Sequence, residues 1–212
     1  MAPDEEQKEL LRKLGTQVPA TAGTQTGLSQ RSLRALDAVA SSLGIRRRRR
    51  AGYPAGPQMR SRRSGAIVQV SSMGGQLSLA GFAAYSATKF ALEGMSEALA
   101  DEVRPLGITV LIVEPGAFRT GLFGNHSAST PIPDYSGTVG RTRQMVEASA
   151  GSQPGDPAKA ATAILTALDA PDTPLRLPLG DDAVDAILSH IDSTRADIRA
   201  WEKLARDTRL AG

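Results

Sequence analysis

The sequence has no cysteine, two histidines, 4% aromatic residues and no long apolar run. The lack of cysteine excludes disulfides and thiolate metal sites, and two histidines are too few for a histidine metal site. No run approaches the ~20 apolar residues that a membrane helix needs, and the N-terminus is acidic and polar rather than signal-like. We therefore predict a soluble, cytoplasmic protein with no metal and no membrane partner.

Positive charge is concentrated in one segment. Residues 46–63 contain eight arginines and no acid, and without them the net charge would fall from +3 to −5. Arg46–Arg50 precede a Gly- and Pro-rich stretch, which predicts a solvated basic linker and a boundary near residue 56. A nucleic-acid patch is the alternative, but the segment lacks interleaved aromatics and a recognisable binding module. We predict no nucleic-acid partner.

Two buried strands and one long helix organise the centre of the chain. Residues 66–70 and 108–113 are apolar, largely β-branched runs, and residues 84–104 carry apolar side chains at helical spacing. Two strands joined by one helix form a βαβ unit, in which the strands are parallel. The predicted fold class is therefore α/β.

The flanking segments give weaker patterns. Before residue 56, short helices are predicted at residues 1–15 and 31–43, with a loop between them. Residues 121–153 are rich in Gly, Ser, Thr and Pro, which predicts an irregular functional loop or lid. A helix from Asp156, a short strand and a final helix that could break near Ser193 complete the prediction.

Three polar positions suggest acid–base chemistry. Tyr85 and Lys89 are four residues apart on the predicted helix, so their side chains share a face. A free tyrosine has a pKa of about 10, and a nearby ammonium group favours the phenolate. Ser72 follows the first strand, where parallel sheets bind ligands, and could polarise a substrate carbonyl. Alone, a Tyr-x3-Lys pair is more often a half-buried tyrosine beside a surface lysine.

The motifs together resemble a known family. The run Val-Gln-Val-Ser-Ser ending at Ser72, the Tyr85–Lys89 pair and Pro115-Gly-Ala-Phe-Arg-Thr120 are similar to short-chain dehydrogenases/reductases, especially hydroxysteroid-dehydrogenase-like bacterial members. The resemblance covers about residues 57–212. It implies an oxidoreductase that uses NADP or NAD and acts on a small-molecule alcohol or ketone. It also implies homo-oligomers that form through helix 84–104.

The resemblance further implies roles for single residues. Tyr85 would be the proton donor or acceptor, Ser72 would orient and polarise the carbonyl, and Lys89 would support the phenolate and bind the nicotinamide ribose. The residues implied to border the nicotinamide are Pro115, Gly116, Phe118 and Thr120. The turn at Pro115-Gly116 is expected to leave backbone groups free for a ligand. Residues 121–150 would form the substrate lid.

One departure from the family pattern concerns the cofactor. The family begins with a strand and a Gly-rich loop that seats the pyrophosphate at a helix N-terminus. The nearest match, from Thr21 to Ser29, has an alanine inside the Thr-Gly pair and a serine for the last glycine. The 38 residues between Gly27 and Ala66 are also too few for the family's three further strands, because each βαβ unit takes about 30 residues.

We therefore expect the C-terminal half of a Rossmann-type doubly wound parallel sheet, with the N-terminal half missing or replaced. Residues 1–56 would be a non-homologous segment, and residues 57–212 a short-chain-dehydrogenase-like catalytic remnant. A truncation, an altered reading frame or a gene-model error would each leave this pattern. The alternative function is a non-catalytic remnant that keeps the site but does not bind the dinucleotide.

Overall fold

The computed structural model describes residues 55–120 and 130–209. The helices predicted at residues 1–15 and 31–43, the Arg46–Arg50 run and the Gly-rich stretch after Thr21 lie outside these residues. The boundary near residue 56 therefore stays a prediction. Among the described residues, no helix is long and apolar enough to cross a membrane.

The chain order confirms the predicted βαβ unit. In the order of the chain, the elements are α1 (Ala55–Arg62), β1 (Gly65–Val70), a 3-10 turn (Met73–Gly75), α2 (Ala83–Val103), a 3-10 turn (Arg104–Leu106), β2 (Ile108–Pro115), a 3-10 turn (Pro133–Tyr135), a π turn (Ser136–Gly140), α3 (Arg141–Ser149), α4 (Pro157–Asp169), β3 (Arg176–Leu179) and α5 (Asp181–Arg206). The strands form one parallel sheet in the order β1-β2-β3. The α/β fold class is confirmed.

Strand β2 is at the centre of the core because helices cover both faces of the sheet. On one face, Leu111 and Val113 pack with Ile164 of α4. On the other face, Val110 and Ile112 pack with Ala100 of α2. Burial on both faces explains why the β2 sequence is a continuous apolar run instead of an alternating one.

Local sequence signals explain where the main helices begin and end. Asp156 caps α4, since its carboxylate accepts the N–H of Ala158 at 2.8 Å and Pro157 needs no hydrogen-bond partner. Beyond α2, Gly107 has a φ of 67°, and the backbone oxygen of Arg63 lies where a side chain would begin. Only glycine fits this turn into β2 without strain.

Three parts of the sequence prediction are wrong. Residues 121–153 were expected to be irregular, but α3 (Arg141–Ser149) and two turns lie within them. The predicted break near Ser193 is absent, because α5 is continuous from Asp181 to Arg206. Helix α1 was not predicted, because the Gly- and Pro-rich composition before residue 58 indicated a break. Pro57 is tolerated there, since it lies in the first turn, where N–H groups have no helical partner.

Most of α5 extends beyond the sheet. Ala183 and Ile187 are buried, whereas residues 188–206 are exposed. Ile198 and Trp201 show an apolar face to solvent, and Trp201 is 66% exposed.

Candidate active site

Ser72 lies where β1 and β2 end side by side. Val70 pairs with Val113 in the parallel register, so Ser72 comes next to Pro115. The Ser72 hydroxyl accepts the N–H of Gly74 at 3.0 Å and lies 3.5 Å from the carbonyl oxygen of Pro115, to which it donates. These contacts fix the serine at the carboxyl edge of the sheet, the edge at which open parallel sheets bind ligands.

Tyr85 approaches the same point from the first turn of α2. The turn between them carries Gly74, and a Cβ on that glycine would stand 3.0 Å from Cε1 of Tyr85 and 3.4 Å from Oγ of Ser72. The absence of a side chain at Gly74 therefore lets the tyrosine ring approach the serine hydroxyl. Phe82 holds the ring edge-to-face, with centroids 6.0 Å apart.

Lys89 lies one helical turn after Tyr85, as the spacing predicts. Its Nζ is 5.7 Å from the centroid of the Tyr85 ring and donates to the carbonyl oxygen of Val70 at 3.1 Å. Burial lowers the pKa of Lys89 from its ordinary value of 10.5, and the negative charge of Glu93 opposes that shift. The structure thus brings together all three residues that the sequence singled out for acid–base chemistry.

The turn after β2 differs from the sequence expectation. The expectation was that Pro115-Gly116 leaves backbone groups free to meet a ligand. Instead, the N–H of Gly116 donates to the carbonyl of Leu179 at 2.9 Å, and the N–H of Ala117 donates to Oδ2 of Asp182 at 2.7 Å. This part of the expectation is wrong, because β3 and the start of α5 take both donors.

The next residues of this turn are also anchored. The Phe118 ring packs on the core and lies 2.6 Å from where a Cβ on Gly155 would stand. The Arg119 guanidinium donates twice to the carbonyl of Gln153, at 3.2 and 3.0 Å. The N–H of Thr120 donates to the carbonyl of Phe118 at 2.8 Å, and its side chain is exposed. These hydrogen bonds and the packing of the Phe118 ring therefore hold the segment that follows β2.

A cluster of ionisable residues beside the site was missed by the sequence interpretation. It contains Gln76, Glu93, Glu114 and Arg176, and two of its members interrupt otherwise apolar patterns. Glu114 ends the apolar run of β2, and Glu93 lies on the buried face of α2. A charged residue at a core position of a strand or helix is the signal that could have revealed the cluster.

Part of the chain is similar to known proteins. A family model described as short chain dehydrogenase matches residues 53–130. The crystal structure of a short-chain dehydrogenase from Streptomyces avermitilis is 60% identical, with a TM-score of 0.65; the match covers 73% of this chain and 56% of that one. A segment of the chain, residues 53–130, is therefore similar to the short-chain dehydrogenase family.

Curated relatives match the same segment. Oxidoreductase BOA17 from Botryotinia fuckeliana is 35% identical over 150 residues, which cover 70% of this chain and 55% of the relative. A 3-ketodihydrosphingosine reductase from Bacteroides thetaiotaomicron is 43% identical over 94 residues, which cover 43% of this chain and 35% of the relative. The chain therefore spans about half the length, or less, of these relatives. Its short-chain dehydrogenase segment contains Ser72, Tyr85, Lys89 and the turn after β2.

Proposed function

We propose that this protein is an oxidoreductase that interconverts a small-molecule alcohol and its carbonyl compound, with Tyr85 as the acid–base group. The observation that supports the proposal best is the convergence of Ser72, Tyr85 and Lys89 at the carboxyl edge of the parallel sheet. A hydroxyl, a phenol and an ammonium are there within one site, the hydroxyl on the turn after β1 and the other two groups on α2. The family of the segment supports the same reaction type.

In the proposed reaction the three side chains have different tasks. Ser72 is oriented by the N–H of Gly74, and its proton, which makes a long 3.5 Å contact with the carbonyl oxygen of Pro115, would turn to a substrate oxygen. Tyr85 donates a proton to that oxygen during reduction and removes it during oxidation. Lys89 supports the phenolate electrostatically, because an ammonium close to the ring lowers the energy of the deprotonated form.

A nicotinamide cofactor, NADP or NAD, would supply the hydride when bound. The described residues fit part of such a group. Lys89 uses one of its three donors on Val70, so two are available for a ribose hydroxyl. Pro115, Gly116, Phe118 and Thr120 would border the nicotinamide, held in place by the contacts of the turn after β2.

The decisive variant is Tyr85→Phe in the full chain. We expect it to lower kcat for reduction of a carbonyl substrate by at least about 100-fold, because general acid catalysis contributes about 10²–10⁴-fold. Carbonyl reduction is followed by the loss of NADPH or NADH absorbance, with a panel that includes 3-keto lipids and small ketones. Trp201→Phe, at an exposed aromatic position on α5, is the control and should keep full activity.

Two outcomes would contradict the proposal. A Tyr85→Phe protein that is folded and as active as the parent would exclude tyrosine acid–base chemistry. Failure of the parent chain to bind NADPH or NADH at millimolar concentration, measured by calorimetry, would support the non-catalytic remnant instead.

We also propose that copies associate through α2. Its exposed face carries Phe90, Ala91, Gly94 and Ala98, which are small or apolar and allow close helix packing. The mass of the parent and of Ala98→Arg, measured by light scattering after gel filtration, tests this. An equal mass for both proteins would contradict the proposal.

A further inference from the structure

The second half of α5 is an amphipathic helix that the described residues leave to solvent. Residues 188–206 are all exposed, and they extend for about 28 Å at 1.5 Å per residue. Among them, Ile198, Trp201 and Leu204 are 64%, 66% and 64% exposed. Isolated helices of this length are marginal in water, because most helices are stabilised by the packing of an apolar face. An apolar face on a single projecting helix therefore indicates an interaction surface.

The apolar side chains of this part of α5 follow a repeat of seven residues. Ile191, Ile198 and Ala205 are seven residues apart, and Thr194 and Trp201 lie three residues after the first two of them. Positions that are alternately three and four residues apart form the a and d positions of a coiled coil, in which two helices pack side by side. Thr194 is the only polar member of the stripe. The stripe therefore fits one further helix.

The charges beside the stripe fit an antiparallel copy of the same helix. Arg195 and Glu202 each follow a d position, so both lie along one edge of the stripe. Consider two antiparallel copies in which Ile198 of each faces Trp201 of the other. In that register, Arg195 of each copy faces Glu202 of the other. The contact then has two opposite-charge pairs, related by a two-fold axis.

Other arrangements of two copies bring like charges together. A parallel pair would place Asp197 of each copy beside Glu202 of the other. An antiparallel pair shifted by seven residues would place Arg195 opposite Arg195 in one direction of the shift, and Glu202 opposite Glu202 in the other. Like charges across a coiled coil disfavour pairing, so these side chains favour one direction and one register.

The same charges disfavour a lipid surface as the partner. Residues 188–206 contain three acids and four bases, whereas helices that lie on membranes have a polar face rich in Lys and Arg. Both signs are paired within the helix: Arg195 with Asp192 at 3.4 Å, and Arg206 with Glu202 at 2.8 Å. Arg195 uses Nη1 and Glu202 uses Oε1 in these pairs, so other atoms of the two side chains can reach a second copy.

We propose that a second copy of this chain covers the exposed face of α5, antiparallel to it, with Ile198 and Trp201 of both copies packed about a two-fold axis. Such a contact is self-complementary, so it closes as a dimer. The last buried residue of α5 is Ile187, which places the axis roughly 19 Å beyond the sheet. The two α/β bodies therefore lie at opposite ends of the helix pair and leave the α5 contact unobstructed.

Site-specific cross-linking tests the direction and the register. The chain has no cysteine, so a single introduced cysteine reacts only where it is placed. Full-length Arg195→Cys and a tagged Glu202→Cys are co-expressed and treated with a short bifunctional maleimide. We expect at least about fivefold more mixed product than either self-linked product, because self pairs are seven residues, or about 10 Å, apart along the axis. Ala196→Cys, on the opposite face of α5, is the control and should not cross-link.

Light scattering after gel filtration tests the contact itself. Ile198→Asp should halve the mass of the parent, whereas Ala196→Asp, which adds the same charge on the opposite face, should keep it. Arg195→Glu and Glu202→Arg should each weaken the dimer by about tenfold, because each turns two opposite-charge pairs into like-charge pairs. The double variant exchanges the signs of both pairs and should restore the affinity to within about threefold.

Several outcomes would overturn the proposal. A monomeric parent, an unchanged mass in Ile198→Asp, or equal amounts of mixed and self-linked products would each do so. If the parent is monomeric, slow maleimide labelling of Ile198→Cys would assign the face to residues of the same chain, and binding of the monomer to phospholipid vesicles would assign it to a lipid surface.

The α5 contact is separable from the other two proposals. The measurements need neither cofactor nor turnover, so a parent chain without reductase activity would leave their result standing. Ala98→Arg, the variant that tests association through α2, should keep the cross-link between positions 195 and 202. Loss of the cross-link in that variant would assign it to association through α2 instead.

Discussion

Replacement of Gly116 by alanine tests the contact that anchors the turn after β2. A Cβ at this position would lie far inside van der Waals contact of the Asp182 carboxylate. A hydrogen bond holds the Asp182 side chain in this position, because its Oδ2 accepts the N–H of Ala117 at 2.7 Å. It also lies in the first turn of α5, where the helix dipole favours a negative charge.

The expected cost follows from these two contacts. Forcing extra atoms into a packed site costs about 1–3 kcal/mol, and loss of a hydrogen bond to a charged group costs about 1.5–3 kcal/mol. If part of the strain is relieved by movement of the carboxylate, Gly116→Ala lowers the free energy of unfolding by about 2–5 kcal/mol. That is a large fraction of the roughly 5–15 kcal/mol that stabilises a typical domain.

Urea unfolding followed by circular dichroism measures this cost. Gly94→Ala is the control, because no atom lies within 4 Å of its added Cβ and helix propensity predicts a gain of about 0.5–1 kcal/mol. In Gly116→Ala/Asp182→Ser the carboxylate is gone, so the double variant should lose at least about 1 kcal/mol less than the sum of the single variants. A strictly additive result, or a cost of Gly116→Ala below about 0.5 kcal/mol, would refute the steric argument.

Two further predictions concern stability. Burial raises the pKa of Glu114 from 4.5 to about 7, so the folded state keeps this proton to a higher pH than the unfolded chain. The protonated Glu114 therefore adds to the free energy of unfolding below about pH 4.5. This contribution is lost as the pH rises through 7. Glu114→Gln should therefore flatten the pH dependence of the free energy of unfolding between pH 5 and 8, and an unchanged slope would contradict the assignment of that proton. Asp156→Ala should cost about 1 kcal/mol through loss of the α4 cap, and Asp156→Asn should restore most of it; equal stability of the alanine variant in urea unfolding would show that the cap contributes nothing.

The sequence contained enough information to place Ser72, Tyr85 and Lys89, because each depends on local rules. Helical spacing fixes the relation of Tyr85 to Lys89, and the position of Ser72 depends only on where a buried strand ends. The parallel pairing of β1 and β2 follows from the single helix between them. These features need no knowledge of distant contacts.

The contacts that the sequence did not reveal are between residues far apart in the chain. Asp182 binds Ala117 across 65 positions, and Arg176 reaches Glu93 across 83. No local sequence pattern around Ala117 or Asp182 indicates that the two residues are in contact. The backbone N–H groups of the turn after β2 were therefore expected to be free. The prediction of irregular structure after residue 130 was wrong for another reason. The many Gly, Ser and Thr residues there have low helix propensity, yet α3 forms from Arg141.

Pro178 affects which edge of this sheet can pair with a further strand. The carbonyls of Leu175 and Leu179 accept N–H groups of β2, and the peptide groups of a strand alternate in direction, so those of Arg176 and Pro178 point to the outer edge of β3. Proline has no N–H to offer there, which leaves a four-residue edge strand without one of its outward donors. Strand β1 contains no proline in residues 65–70. Any further strand, whether from this chain or from another copy, is therefore expected to join the sheet beside β1 and not beside β3.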